Sequence, residues 1–198
     1  MSHQQDTGDT LEGPDLQTYD EHSFLGSALF SATDSTNDIT VTFRWHGLPL
    51  RVAQIPVSQL LYVANELDSV VGGPNTVVVL GVWADFTTFP LEVYYQRLVT
   101  IRRAVQRLLN RGPGTKVIIR TANMRQQNLP SSLISSDWYA LQRDKVLRAV
   151  FKDTGAVLLE AWDMVQAHDH LHDLHPPPEI IKLMIDQVLS HTCPGTRR

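Results

Sequence analysis

The chain has 198 residues, a net charge of −4, and 42% hydrophobic against 19% charged residues. That is room for one domain with a real core, and it excludes wholesale disorder, collagen-like repetition and a coiled coil. No window holds 18 consecutive apolar residues, so no membrane span is expected, and a single cysteine, Cys193, excludes an internal disulfide or a cysteine metal centre.

Residues 1–23 are polar and acidic, which predicts a disordered arm ahead of a domain over 24–194 and a short tail at 195–198. The arm has no apolar stretch of the secretory-signal kind, so the chain is expected either to be intracellular or to have lost its start. Residues 1–43 hold eight Asp or Glu and no Lys or Arg, leaving 17 basic against 13 acidic residues from Arg44 onward.

Ser27 to Ala32 and Ile39 to Trp45 predict two strands of a hairpin, turning through Thr33 to Asp38. Pro56 opens a helical pattern through Leu60, Leu61, Val63, Ala64, Leu67 and Val70, stopped by Gly72-Gly73-Pro74. Three apolar runs follow, Thr76 to Leu80, Lys116 to Thr121 and Ala156 to Glu160, and each leads to an amphipathic helix, near 91–110, 137–151 and 179–190. Such alternation predicts βαβ units in the α/β class, with a parallel sheet covered on both faces. No fixed-period repeat is present. Arg97, Arg103, Arg107 and Arg111 lie opposite Tyr94, Leu98, Ile101, Val105 and Leu108, which is a solvated helix face and not a nucleic-acid footprint.

Ligands of such sheets sit beyond the carboxyl ends of the strands. The candidate residues there are Gly81, Trp83 and Asp85 after the first run, Asn123 after the second and Trp162 after the third. Asn123 could donate to an oxyanion or close its turn, and the turn is favoured. Trp45, Trp83, Trp138 and Trp162 are expected to pack on helices, with Trp83 and Trp162 placed where a sugar could lie.

Several motifs in order resemble one family. They are Asn65-Glu66-Leu67-Asp68, Gly72-Gly73-Pro74, Trp83-Ala84-Asp85-Phe86-Thr87-Thr88-Phe89-Pro90, Thr121-Ala122-Asn123, Ser136-Asp137-Trp138, His175-Pro176-Pro177 and Cys193-Pro194. Over residues 39–194 the chain resembles the C-terminal domain of the NXPE family, the neurexophilin and PC-esterase domain proteins. The resemblance implies an SGNH-hydrolase-like fold, kinship with esterases and acyltransferases of carbohydrate acetyl groups, and the secretory pathway. It also implies a triad, with a Gly-Asp-Ser nucleophile after the first strand and a histidine whose carboxylate lies three residues earlier, set to fix the imidazole tautomer.

The chain departs from that pattern at its chemical positions. No Gly-Asp-Ser is present. Asp34-Ser35 lies in a hairpin turn and not at a strand-to-helix elbow. His175 falls on the family's histidine, but three residues before it stands His172. Asp173 is two residues before it, and a one-residue shift turns its side chain to the other side of an extended loop. The family's Trp-Ala-His-Phe reads Trp83-Ala84-Asp85-Phe86, and the cysteine expected before His168 is Ala167, which leaves Cys193 without the disulfide partner the resemblance implies. The expected fold is therefore a three-layer SGNH-hydrolase-like parallel sheet with an N-terminal hairpin, lacking the first strand and nucleophile elbow. The vacated sheet edge invites self-association.

The expected function is that of a truncated or degenerate PC-esterase-like domain without acyl transfer of its own, binding glycan or protein. One alternative is an active carbohydrate O-acetyl esterase or acetyltransferase of the sialic acid type, should the full gene product carry the missing segment. The other is a metal-binding module, because His168, His170, His172 and His175 with Asp169 and Asp173 place six potential ligands in eight residues. A solvated polar loop is the favoured reading, since a working site needs fixed ligands and a second shell, so no cofactor is expected and zinc is the alternative.

A solvated loop leaves the melting temperature unmoved when zinc is raised to about 100 micromolar. A fixed site at a hundredfold excess over its dissociation constant would add about 2.7 kcal/mol and lose it below about pH 5.5, where imidazoles protonate. A rise of several degrees, abolished by His170→Ala with His172→Ala, would establish the metal reading.

Overall fold

The computed structural model describes residues 29–44, 62–168 and 175–193. The expected acidic arm, the helix start at Pro56, Trp45, His170, His172, Asp173 and the tail lie outside the described residues. The chain divides into two units, Met1–Leu61 and Tyr62–Arg198.

In the first unit β1 (Leu29–Asp34) and β2 (Ile39–Arg44) form an antiparallel hairpin, with Asp34 opposite Ile39 and Leu29 opposite Arg44. β1 runs two residues further into the expected turn than composition suggests, and there Thr33 faces Thr40 with hydroxyls 3.3 Å apart, while β2 begins at Ile39 as expected. The turn is built on Asp34, whose carboxylate accepts from the backbone N–H of Thr36 (2.9 Å) and from the Asn37 side chain (2.7 Å). The Asn37 amide holds the Asp34 carboxyl below the usual range.

The second unit runs α1 (Val63–Ser69), β3 (Val77–Gly81), α2 (Leu91–Arg111), β4 (Lys116–Arg120), α3 (Leu129–Ser135), α4 (Asp137–Phe151), β5 (Val157–Leu159), α5 (Ala161–Gln166) and α6 (Pro178–Thr192). The three strands are parallel in the order β3-β4-β5. The alternation of apolar runs and helices thus forms the α/β arrangement expected of it, with the hairpin ahead of it in the chain.

β4 is the centre. Val117 and Ile119 enter one core with Tyr94, Leu98, Val105 and Leu108 of α2 and Leu147 and Phe151 of α4, while Ile118 enters the other with Val165 of α5 and Ile180 and Met184 of α6. A strand so enclosed carries no polar residue between its ends. α2 answers with apolar residues at alternating spacings of four and three, a single stripe toward the core. β3 is different: Val78 and Leu80 face the first core, but Val77 and Val79 are 39% and 50% exposed on the α6 side.

The basic face of α2 is more than solvated surface. Arg107 clasps the Asp68 carboxylate through Nε (2.9 Å) and Nη2 (2.7 Å), and Arg111 donates to the carbonyls of Leu67 and Val70, which close the carboxyl end of α1. Arg97 lies over the Tyr62 ring, 4.8 Å from its centre. Three short elements have no counterpart in the sequence reading: α3, α5 and a single 3-10 turn at Ala84–Phe86. Each is shorter than two helical turns, too few residues for a periodic stripe to be legible.

The Gly72-Gly73-Pro74 stop has a second task. Gly72, in the left-handed region at φ +85°, passes so close under the end of α2 that a Cβ on Gly112 would stand 2.7 Å from the Gly72 Cα. Thr115 locks the crossing, its hydroxyl accepting from Gly73 N–H (2.7 Å) and donating to the Gly112 carbonyl (2.5 Å). Gly112→Ala is therefore expected to cost about 2 kcal/mol by overpacking and to lower the melting temperature by about 6 °C. Gly81→Ala, whose Cβ would meet nothing within 4 Å, serves as the control and leaves it unchanged; equal effects would refute the steric account.

Candidate functional site

Three loops leave the carboxyl ends of the strands, and one helix holds all three. Along α4 the inward stripe reads Ala140, Arg143, Asp144, Leu147, Val150 and Phe151, so two charges occupy core positions. Arg143, 4% exposed, donates from Nε to Phe86 O (2.9 Å), from Nη2 to Thr87 O (2.9 Å) and Phe89 O (2.6 Å), and from Nη1 to Tyr139 O (3.1 Å). It thereby fastens the loop after β3. Burial pulls its guanidinium pKa down, opposed by Tyr94 and Tyr139.

Asp144 accepts from Ala122 N–H (3.2 Å) in the loop after β4 and from Arg148 Nε (2.5 Å). Arg148 in turn forks onto Glu160 (2.9 and 2.5 Å) at the end of β5, and the two carboxylates raise its pKa. The amino end of α4 adds to this. Ser136 caps it by accepting from Tyr139 N–H (3.4 Å), while the Asp137 carboxylate receives Arg125 N–H and the Gln127 amide, both at 3.2 Å. Buried Tyr94 of α2 sits beside this network, its phenol pKa pushed well up by burial and by the Asp144 charge.

Among the residues singled out from sequence, Thr121, Ala122 and Asn123 are fully buried. The Thr121 hydroxyl donates to Leu159 O (3.0 Å) and accepts from Ala161 N–H (2.9 Å), which ties the end of β4 to the start of α5. Asn123 Oδ1 accepts from Arg120 Nη2 (2.5 Å) and its Nδ2 donates to Met124 O (2.9 Å). Trp83 is buried against Ala122 and Ala140, with Trp162 packed on the same cluster, so its indole face is turned inward. Asp85 is half-buried in the 3-10 turn, and Gly81 ends β3 with open space where a Cβ would be.

Trp138 does not pack as expected: it lies off the inward stripe of α4 and is 66% exposed, and Tyr139, Leu129 and Leu133 nearby in the chain are exposed too. His168 follows α5, its N–H bonded to Val165 O (3.2 Å), and exposed His175 precedes Pro176-Pro177 at the entry of α6. Among the described residues no three His, Cys, Asp or Glu side chains converge on a metal position. Sequence reasoning passed over Arg143, Asp144 and Arg120. For the first two a signal existed, charges at core spacing on a helix. Asp85, Asn123, Trp83 and Trp162 all lie at the strand ends as placed from sequence; His170, His172 and Asp173 lie outside the described residues.

The family model described as NXPE family member 4-like, C-terminal domain, matches residues 9–193 of this chain. The match takes in both the hairpin and the α/β unit.

Arg143→Met removes four donors at once and leaves buried carbonyls without partners, which predicts a loss of about 3 kcal/mol and a fall in melting temperature of about 9 °C. Arg143→Lys restores less than half of it, since an ammonium cannot span the guanidinium fork. Denaturant unfolding measures both, and a loss below about 1 kcal/mol in the Met variant would show that the loop does not depend on this side chain.

Proposed function

The chain belongs to the NXPE family through its C-terminal domain, and from that premise we propose that it is a PC-esterase-like domain without acyl transfer of its own, which works by binding a glycan or glycoprotein. The observation that carries this reading is what five serine hydroxyls among the described residues do. Ser69, Ser132 and Ser190 donate to carbonyls three residues back in their own helices (2.7, 2.9 and 2.7 Å), Ser136 caps α4, and Ser135 receives Arg125 Nη2.

The two Asp-Ser pairs offer no activated nucleophile. Asp34 is engaged by its hairpin turn and Asp68 by Arg107, and acyl transfer needs a serine beside a base at a strained elbow. Binding is supported by the exposed apolar residues of α3 and the start of α4, Leu129, Leu133, Trp138 and Tyr139, a composition that marks interaction surfaces. Self-association, on this reading, runs through β3, whose outer edge has no strand partner among the described residues. No cofactor is assigned to this function.

The purified chain is expected to hydrolyse p-nitrophenyl acetate no faster, within about twofold, than its His175→Ala variant; an intact triad would separate them by several powers of ten. Serine-directed phosphonate labelling sharpens the test, because stoichiometric adduct on one serine would establish a nucleophile and restore the esterase reading.

A further inference from the structure

Arg120 is the last residue of the central strand, and its side chain leaves the sheet on the same face as Ile118, toward α5 and α6. The register sets it between two unlike neighbours. On the β5 side it faces Leu159, which is buried, and on the β3 side Gly81, which has no side chain and only open space where one would begin. β3 is also the strand whose face on this side is uncovered, at Val77 and Val79. The side chain thus starts out between a buried leucine on one flank and open space on the other, at the strand end where α/β sheets receive ligands.

Among the described residues its one side-chain partner is Asn123, through Nη2 at 2.5 Å, and no carboxylate pairs with it. A half-buried guanidinium held by a neutral amide lacks the counter-charge that desolvation demands, and burial accordingly lowers its pKa. Arg107, Arg111 and Arg148, by contrast, each have an anionic partner in the fold.

We propose that Arg120 anchors a carboxylate-binding site that opens over Gly81 at the carboxyl end of β4, with Asn123 fixing the guanidinium and leaving its remaining N–H groups to the ligand. One cation balances one negative charge, and a planar fork matches a planar carboxylate. The ligand class is therefore a small organic monoanion, or a larger molecule presenting a single carboxylate, and a phosphate dianion fits less well. The site extends the binding reading above but does not depend on the absence of acyl transfer.

The test measures melting temperature of the full chain at constant ionic strength. Replacing chloride with about 100 mM acetate, or with glucuronate, is expected to raise it by about 3 °C, while inorganic phosphate and neutral glucose do not. Arg120→Met should keep or raise the ligand-free melting temperature, because an uncompensated charge is removed, and should lose the response to both carboxylates. Gly81→Val should lose the response by filling the open space.

No carboxylate response in the native chain, an equal response to phosphate, or a response that survives Arg120→Met overturns the proposal. So does a fall of more than about 5 °C in ligand-free Arg120→Met, which would make the residue structural. A response that appears only in a chain carrying Asp169→Asn and Asp173→Asn would assign the counter-charge to this chain itself and overturn an external ligand.

Discussion

Two adjacent charges on the inner face of α4 hold the strand ends of this protein together. Arg143 points one way, to the backbone of Phe86, Thr87 and Phe89; Asp144 points the other, to Ala122, and hands on through Arg148 to Glu160. A buried charge is tolerated only where its hydrogen-bonding capacity is met. The loops after β3, β4 and β5 therefore have their places set by one helix, and the helix has its own rotation about the axis set by them. Apolar packing alone would fix neither so tightly, since Leu147 and Val150 would accept many small rotations against α2.

The sheet is asymmetric for a different reason. β4 is buried on both faces and imposes helices on each side of itself, α2 and α4 on one, α5 and α6 on the other. β3 meets only the first of these layers, so its second face carries Val77 and Val79 into solvent and ends at Gly81. The half-covered strand and the enclosed strand differ by one position in the sheet, yet with this difference go the space at Gly81 beside Arg120 and, among the described residues, a strand edge without a partner.

The proposed binding function rests on anchored loops beside an open flank at Gly81. At the strand ends the backbone N–H of Ala122 is taken by Asp144 and that of Ala161 by Thr121, and preorganised donors stabilise a transition state only when aimed at the developing charge. The fold keeps a rigid floor at the carboxyl ends of its strands, while the exposed aromatic side chains of α4 lie outside that floor.

The sequence by itself determined what depends on local periodicity. Three apolar runs named the three strands, the stripe from Tyr94 to Leu108 named α2, and Gly72-Gly73-Pro74 marked where the first helix stops. The family motifs added the order of the strand-end loops. The short helices α3 and α5 escaped because fewer than two turns carry no period, and the exposure of Trp138 escaped because a single aromatic residue states no face until its neighbours are known.

Charges are harder still to read. Arg107, Arg111, Arg120, Arg143 and Arg148 are alike as letters, and only the tertiary structure decides that one clasps Asp68, one closes α1, one holds four carbonyls and one bridges two carboxylates. Arg120 acquires its character from the strand register that sets it beside a glycine, a relation between residues 39 apart in the chain. Hydrophobic pattern is a property of a segment, whereas the solvation of a charge is a property of everything packed around it.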